Sequence, residues 1–469
     1  MNRQAGPRLL DRYPAHYCYD RLLACSAGEW DGGPVHLLRD RAGLLSDEAR
    51  GTGALSGLRV LDLTKFWAGP AVTEALGNMG AQVIKVEAAH ALDPWRLGGA
   101  RQTVESSEDG PTYEFSSIFN AVNRNKYGLT LDLSQPRGRE ILRQLLVTTD
   151  VLAENYAPRV MAKFGLGYES LRQINPRLVM ISLPAFGSTG PWRDYVGFAY
   201  PTEQAAGFPH FTGYTDGEPM LWGCAAGDAI AGMLGLVGVL AAVNWARETG
   251  EGQHVDVSQV EALSTFLGPP MIDYSWHRRS WPRHGNADPA RAPQGCYPTA
   301  GDDTWMVVSA EDDEQWRALC RVLHRDDWLG RAGLASVAGR SAARAELDAG
   351  IALWTSSREA RTASAELQDA GVAAAPVMGG YDLLADPHLA ARGFIEWINR
   401  EHVGTLAHTG MWAKFSRTPG TIRRPAPTLG QHNQQVLSEL LGLSPADLAE
   451  LESNGVIGTQ AAGSRSPRP

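Results

Sequence analysis

The residue with the clearest chemical potential is Asp228, which follows Gly227 and opens the run AIAGMLGLVGVLAAVNWARETG. Within that run Gly232, Gly235 and Gly238 recur every three residues, so a helix built from it presents a face with almost no side chain, and another backbone can pack close to it. A carboxylate at this point has two readings. It is a helix N-cap, because Asp accepts hydrogen bonds from the first N–H groups of a helix. Or it is a nucleophile, because Asp and Glu carboxylates form covalent intermediates. Spacing does not choose between them.

A second set of residues carries charge. Lys85, Arg96, Arg124, Lys126, Arg159 and Lys163 fall near the expected ends of strands in an otherwise acidic chain. Each alone reads as a solvated surface charge; together they can hold phosphates through charge-assisted bonds. The loop Thr64-Lys65-Phe66-Trp67-Ala68-Gly69-Pro70 follows the first expected strand. A dinucleotide site needs G-x-G-x-x-G there. One glycine beside a bulky Phe-Trp pair does not supply it, although Glu87 mimics a ribose-binding acid. His210, His284, His388 and His432 lack metal-ligand spacing. Cys18, Cys25, Cys224, Cys296 and Cys320 are scattered and form no C-x-x-C. No G-x-S-x-G elbow or P-loop occurs. Neither a metal nor a redox cofactor is expected.

The elements that must position these residues follow from the apolar runs. GLRVLDLT and QVIKVE read as buried strands, with AVTEALGNM as a helix between them after Pro70. That is a βαβ unit and implies a parallel sheet. DVLAEN, the short helices PRVMAKFG and YESLRQIN, and RLVMISLPAFG continue it. QHVDVS and VEALSTFL follow the glycine-rich helix; DTWMVVSA, EDDEQWRALCRVL, a helical stretch over 340–371 and VAAAPVM suggest a smaller α+β unit. The expected class is α/β: an open Rossmann-like parallel sheet plus a smaller α+β domain. The expected divisions are an N-terminal extension over 1–55, a large domain over 56–274, a linker over 275–295, a small domain over 296–390, a return segment over 391–458 and a disordered tail over 459–469.

Composition narrows the class. The 469 residues are 43% hydrophobic and carry 43 Lys plus Arg against 52 Asp plus Glu, a net charge of −9. A sequence-independent nucleic-acid binder needs a basic surface, and none is expected. The longest apolar stretch, Ala229–Val243, is 15 residues with three glycines. A membrane span needs about 20 apolar residues, so a buried helix is expected. The N-terminus lacks an apolar h-region, and a cytoplasmic location is expected.

From Leu55 to about Gly442 the chain resembles the class III CoA-transferase family, the group that contains formyl-CoA and carnitine CoA-transferases and is related to α-methylacyl-CoA racemase. The segments that carry the resemblance occur in one order: LSGLRVLDLTKFWAGP, GAQVIKVE, NRNKYGLTLDL, ENYAPRVMAKFGLGYESLRQINPRLVMISLPAFGSTGPW, GDAIAGMLGLVGVLAAV, ETGEGQHVDVS, LLADPHLAARGF and APTLGQHN. The resemblance implies an open α/β domain, a small domain and an interlocked homodimer. It implies Asp228 as the catalytic residue. It implies coenzyme A binding at Lys65, Phe66, Trp67, Ala68, Asn155, Tyr156 and Lys163, with Lys85, Arg96, Arg124 and Lys126 lining the nucleotide and phosphates. The partners implied are an acyl-CoA and a carboxylic acid acceptor, with no cofactor beyond coenzyme A as substrate. Asp228 would pass through an acyl-aspartyl anhydride and an aspartyl-CoA thioester. Backbone N–H groups near Gly227 would stabilise the developing oxyanions.

Two departures from the family pattern stand out. The first 55 residues are extra, and the glycine-rich substrate loop of the formyl-CoA branch is not matched at 284–295. A racemase of the same fold is the alternative enzyme. Its catalytic His would follow Gly197, where this chain has Phe198 and Ala199, and phenylalanine is no general base. Glu203 lies a turn further on, with substrate contact, exclusion of a wrong acid and a structural duty all open. A catalytically silent CoA-binding protein is the third reading, since N-capping would also retain Asp228.

Overall fold

Short apolar runs between glycine and proline breaks become the strands of a six-stranded sheet. The computed structural model describes residue 45, residues 53–97 and residues 110–462. Apart from Leu45 and residues 53–55, the expected N-terminal extension lies outside the described residues, as does the tail beyond residue 462.

The run after Gly57 supplies β1 (Arg59–Asp62), buried throughout. Helix α1 (Ala68–Asn78) follows, starting two residues before Pro70, whose missing N–H falls among first-turn groups that have no intrahelical partner. Gly80 adopts φ +107°, and a Cβ there would lie 2.8 Å from the Gly53 Cα, so the turn into β2 (Gln82–Glu87) requires glycine. The large layer continues through β3 (Lys126–Thr130), α2 (Pro136–Leu146), β4 (Val151–Glu154), α3 (Arg159–Lys163) and β5 (Val179–Ser182). Then come α4 (Ala199–Ala206), α5 (Ala226–Thr249), β6 (His254–Asp256), α6 (Gln259–Ser264) and α7 (Gly268–His277). The strand order is β3-β2-β1-β4-β5-β6, and every neighbouring pair is parallel. Val60 stands opposite Val83 on one side and Val151 on the other.

Alternation along the strands divides the core between two faces. Leu61, Ile84 and Leu152 pack with Ile141 and Leu145 of α2, together with Leu45. Val60, Val83 and Ile181 pack with Val72 and Leu76 of α1 and with Leu236 and Val239 of α5. The α/β layer expected from the sequence is thus observed, with helices on both faces. By length and composition α5 could cross a membrane; half of its most apolar window is buried within the protein.

The smaller unit is a three-stranded antiparallel sheet, β7 (Gln294–Pro298), β8 (Trp305–Ser309) and β9 (Ala373–Pro376), packed on α8 (Asp313–Val322), α9 (Arg344–Thr355) and α10 (Ala360–Asp369). Its separate core holds Trp316, Trp328, Leu347 and Leu367. A hairpin of β10 (Ile395–Arg400) and β11 (Gly404–Thr409) leads back to the large sheet, followed by α11 (Asn433–Leu441) and α12 (Pro445–Ser453).

This returning chain covers the outer edge of β3. The Gly128 N–H donates to His432 Nδ1 at 2.9 Å, the His432 N–H donates to the Gly128 carbonyl at 2.9 Å, and Asn433 Oδ1 accepts the Thr130 N–H at 2.8 Å. The edge that would otherwise offer a template for foreign strands is capped.

Candidate active site

The strand order reverses between β1 and β4, and open α/β sheets bind ligands in the crevice outside the carboxyl ends at such a point. The segments leaving those two strands are Thr64–Ala68 and Asn155–Pro158. They are tied together by one side chain: Asn155 Oδ1 accepts the Lys65 N–H at 2.8 Å, and Asn155 Nδ2 donates to the Lys65 carbonyl at 2.7 Å. Phe66 has φ +64°, a strained value for a non-glycine residue, and its N–H donates to Asp93 at 3.2 Å. Glu154, buried at the end of β4, accepts the Tyr156 N–H at 2.8 Å; burial pushes its carboxyl up to about 7.

Behind the first of these loops lies a buried charge network. Asp62 accepts from Thr64 N–H at 2.9 Å, from Thr73 Oγ1 at 2.8 Å and from Lys126 Nζ at 2.9 Å. Burial alone would raise its carboxyl, but the Lys126 and Lys85 ammoniums outweigh it and hold the group at about 2. Lys85 Nζ donates to the Thr64 carbonyl at 2.9 Å and to Asp93 at 3.1 Å. Arg96 joins Glu87 and Glu114, each with a contact of 2.8 Å, and donates to the Pro427 carbonyl at 3.1 Å. Arg124 pairs with Glu74. Read from sequence as a phosphate-binding set, Lys85, Arg96, Arg124 and Lys126 are instead placed by the structure in buried ion pairs, off the cleft wall. The physical reason is that each side chain meets a carboxylate in the fold, Lys85 and Arg96 from acids a short way along the chain and Arg124 and Lys126 from Glu74 and Asp62 far upstream.

Asp228 approaches from the other side, on α5. The helix starts at Ala226, so Asp228 lies inside its first turn; the capping position belongs to Ala225, held at φ +51° and making no side-chain cap bond. The N-cap reading of Asp228 therefore does not hold. A Cβ on Gly232 would lie 2.8 Å from the Ala68 carbonyl oxygen, so the glycine lets α5 press on the first turn of α1. That close approach brings Asp228 beside the loop carrying Phe66. Gly235 and Gly238 face side chains instead, Leu183 and Val255.

The resulting cleft has a volume of about 630 Å³ and is lined by Phe66, Trp95, Asn155, Tyr156, Phe186, Tyr195, Phe198, Gln259 and Asp228, among others. Phe66 meets Phe198 edge-on, with ring centroids 5.6 Å apart. Two residues with positive φ that are not glycine, Phe66 and Ala225, line it. Asp228 is 9% exposed and has no side-chain hydrogen bond among the described residues. Its carboxyl is pushed up to about 6, by burial first and by the charge on Glu203 second. Such a group ionises near neutrality and can attack an electrophilic carbonyl. Of the backbone N–H groups near Gly227 expected to serve an oxyanion, that of Gly227 donates to Glu203 Oε1 at 3.2 Å and that of Asp228 to the Ala225 carbonyl at 3.1 Å.

The structure brings Phe66, Asn155, Tyr156 and Asp228 into one cleft. Trp67 packs 5.8 Å from Trp95, Ala68 is buried beneath α5, and Lys65 directs Nζ to the Ala91 carbonyl at 2.9 Å. Lys163 is exposed on α3 and does not line the cleft. Arg193, Tyr195 and Gln259 line it and were not singled out from sequence; the PWRDY segment, coming after a strand and a glycine turn, carried a signal for the first two. Among the described residues no group of three His, Cys, Asp or Glu side chains could hold a metal.

A doubly wound sheet with an aspartate-bearing cleft at its switch point, covered by a glycine-faced helix, defines the class. The family model for CoA-transferase family III matches residues 55–433, and the chain belongs to that family. It is therefore an enzyme of the CoA-transferase class, whose members use CoA thioesters as substrates. It is 33% identical over 404 residues to a succinyl-CoA–D-citramalate CoA-transferase of Chloroflexus aurantiacus, covering 86% of this chain and 98% of the relative. It is 35% identical over 390 residues to a succinate–glutarate CoA-transferase of Agrobacterium fabrum, covering 82% and 95%. Among solved structures, a CAIB/BAIF family protein from Brucella suis superposes with a TM-score of 0.74 at 30% identity, covering 83% of this chain and 100% of that one.

Proposed function

We propose that this enzyme moves CoA between two dicarboxylic acids through covalent chemistry on Asp228. The observation that carries the reading is Asp228 itself: a nearly buried carboxylate, without a hydrogen bond among the described residues, at the wall of the switch-point cleft. Its oxygen attacks the acyl-CoA carbonyl. The carbon–sulfur bond breaks, CoA leaves as thiolate and an acyl-aspartyl anhydride remains. The thiolate then attacks the aspartyl carbonyl, the bond to the acyl oxygen breaks, and the donor leaves as carboxylate. Asp228 now carries CoA as a thioester. The acceptor carboxylate attacks that thioester and the two steps run in reverse, releasing a new acyl-CoA and free Asp228. The thioester's free energy is kept because every intermediate is itself an activated acyl group.

The dicarboxylate assignment draws on the relatives' names, which pair succinyl-CoA or succinate with citramalate or glutarate. Arg159 and Arg193 line the same cleft, and a guanidinium suits a second carboxylate. Phe198 on the wall, where a racemase would need a base, favours transfer over proton abstraction. The coenzyme is assigned to the Lys65–Ala68 loop, to Asn155 and Tyr156, and to Lys163, exposed at the end of α3, while Lys85 and Lys126 brace the loop from behind through the Thr64 and Pro70 carbonyls and Arg96 and Arg124 stay in their buried ion pairs. The reading includes a cytoplasmic homodimer acting without nucleic acid or a membrane. Exposed Met233, Val237 and Trp245 on α5 and Met271, Ile272 and Trp276 on α7 support a self-association surface.

The test is intact-mass analysis during turnover with succinyl-CoA, followed by hydroxylamine trapping. The expected result is an added mass and a hydroxamate located at Asp228, both absent in Asp228→Ala together with exchange activity. Undiminished exchange in Asp228→Ala would sink the reading.

A further inference from the structure

Glu203 lies inside the site without a part in the steps above. It projects from α4 and is 1% exposed. Its Oε1 accepts the Gly227 N–H at 3.2 Å, which puts it one residue from the nucleophile. Its Oε2 is buried and has no hydrogen-bond partner among the described residues. A Cβ on Gly227 would lie 3.3 Å from Glu203 Cγ, so the side chain is packed directly on the peptide that carries Asp228. Leaving a buried carboxylate half-satisfied beside a second one is unfavourable. A glutamine could accept the same N–H without the charge, so holding the helix terminus does not by itself account for a glutamate.

The covalent cycle, on which this inference rests, supplies a use for that charge. Asp228 is negative only when free; as an anhydride or a thioester it is neutral. A fixed negative neighbour raises the free energy of the free form and leaves the covalent forms nearly untouched. We propose that Glu203 is a positioning residue whose charge tilts the equilibrium of the site toward the acyl-aspartyl and aspartyl-CoA states. The direction of the Asp228 shift agrees, since Glu203 contributes to it after burial. The cleft that Asp228 lines also holds Gln259 from α6 and Phe66 from the loop after β1, neither titratable, the phenols of Tyr156, Tyr195 and Tyr200, and Arg159 and Arg193 with opposite sign.

The experiment compares wild type, Glu203→Gln and Glu203→Asp in the full chain, using succinyl-CoA as the probe. It reads the kcat/KM pH profile and, by intact mass, the ratio of CoA-bearing to free enzyme at pH 8. In Glu203→Gln the acid limb is expected to fall from about 6 toward the ordinary 3.8, stopping short of it because burial persists. The adduct ratio should fall by the same factor, about three- to tenfold, since one pH unit corresponds to tenfold. Glu203→Asp keeps the charge and should hold the limb near its wild-type position even if kcat drops. An unmoved limb and adduct ratio in Glu203→Gln overturn the proposal. If that variant does not fold, a limb in Glu203→Asp that drops to the ordinary carboxylate range overturns it instead. A wild-type enzyme that never carries mass on Asp228 removes the covalent reading itself, a result distinct from normal adducts insensitive to Glu203.

Discussion

Asn155 grips the backbone of Lys65 on both sides, accepting its N–H and donating to its carbonyl, 90 residues away in the chain. One carboxamide thereby fixes the spacing of the two loops at the sheet's switch point. Asn155→Asp keeps the acceptor but sets a carboxylate oxygen against the Lys65 carbonyl. The expected result is a KM for acyl-CoA raised about tenfold or more and a stability loss of about 1–3 kcal/mol. Initial-rate kinetics and urea melts check both.

Asp228 carries a pH signature in stability as well as in activity. Its carboxyl titrates at about 6 in the folded protein against 3.8 as a free side chain. The folded state therefore binds the proton more tightly. The contribution of this group is most favourable below 3.8 and is lost as pH rises through 6. At pH 8 the ionised carboxylate opposes folding, by an amount on the order of 3 kcal/mol. Asp228→Asn should accordingly be inactive yet melt higher than wild type at pH 8, with the difference shrinking toward pH 5. Calorimetric scans across that range would show it; a variant less stable at pH 8 would contradict it.

The two kinds of lysine should separate cleanly. Lys126 is fully buried against Asp62. Removing one partner of such a pair strands the other charge, so Lys126→Met should lower unfolding free energy by about 3–5 kcal/mol. Lys163 is exposed, so Lys163→Met should stay within about 0.5 kcal/mol of wild type. Its effect should appear in the KM for acyl-CoA. Denaturant midpoints measured beside kinetics distinguish the pair.

Gly232 tests the seam between α5 and α1. An added methyl would meet the Ala68 carbonyl, a backbone atom that cannot turn aside. Gly232→Ala should be destabilised by about 1–3 kcal/mol. Because the seam sets Asp228 against the Phe66 loop, kcat should fall as well. A crystal structure of the variant should show α5 displaced from α1.

Much of the layer that carries this site was legible in residue order. GLRVLDLT and QVIKVE announced β1 and β2 because both are fully buried strands, whose apolar runs admit few alternatives. The glycine period in α5 pointed to close packing, and Gly232 delivers it. The basic residues misled because charge is visible in a sequence while its partner is not. Lys126 meets Asp62 across 64 residues, and Arg96 meets the Pro427 carbonyl across 331. Asp228 looked like a cap because its distance from the helix start depends on Ala225, whose left-handed backbone no pattern reveals.

The cap over β3 also governs how the molecule comes into being. Thr130 and the Asn433 that seals it are 303 residues apart. At a synthesis rate of about 5–20 residues per second, a nascent chain keeps that sheet margin unsealed for about 15–60 s. Every cleft residue has left the ribosome well before closure. A polypeptide shortened ahead of Asn433 would thus hold a full complement of cleft side chains and still meet its neighbours in the cell with an open, adhesive border.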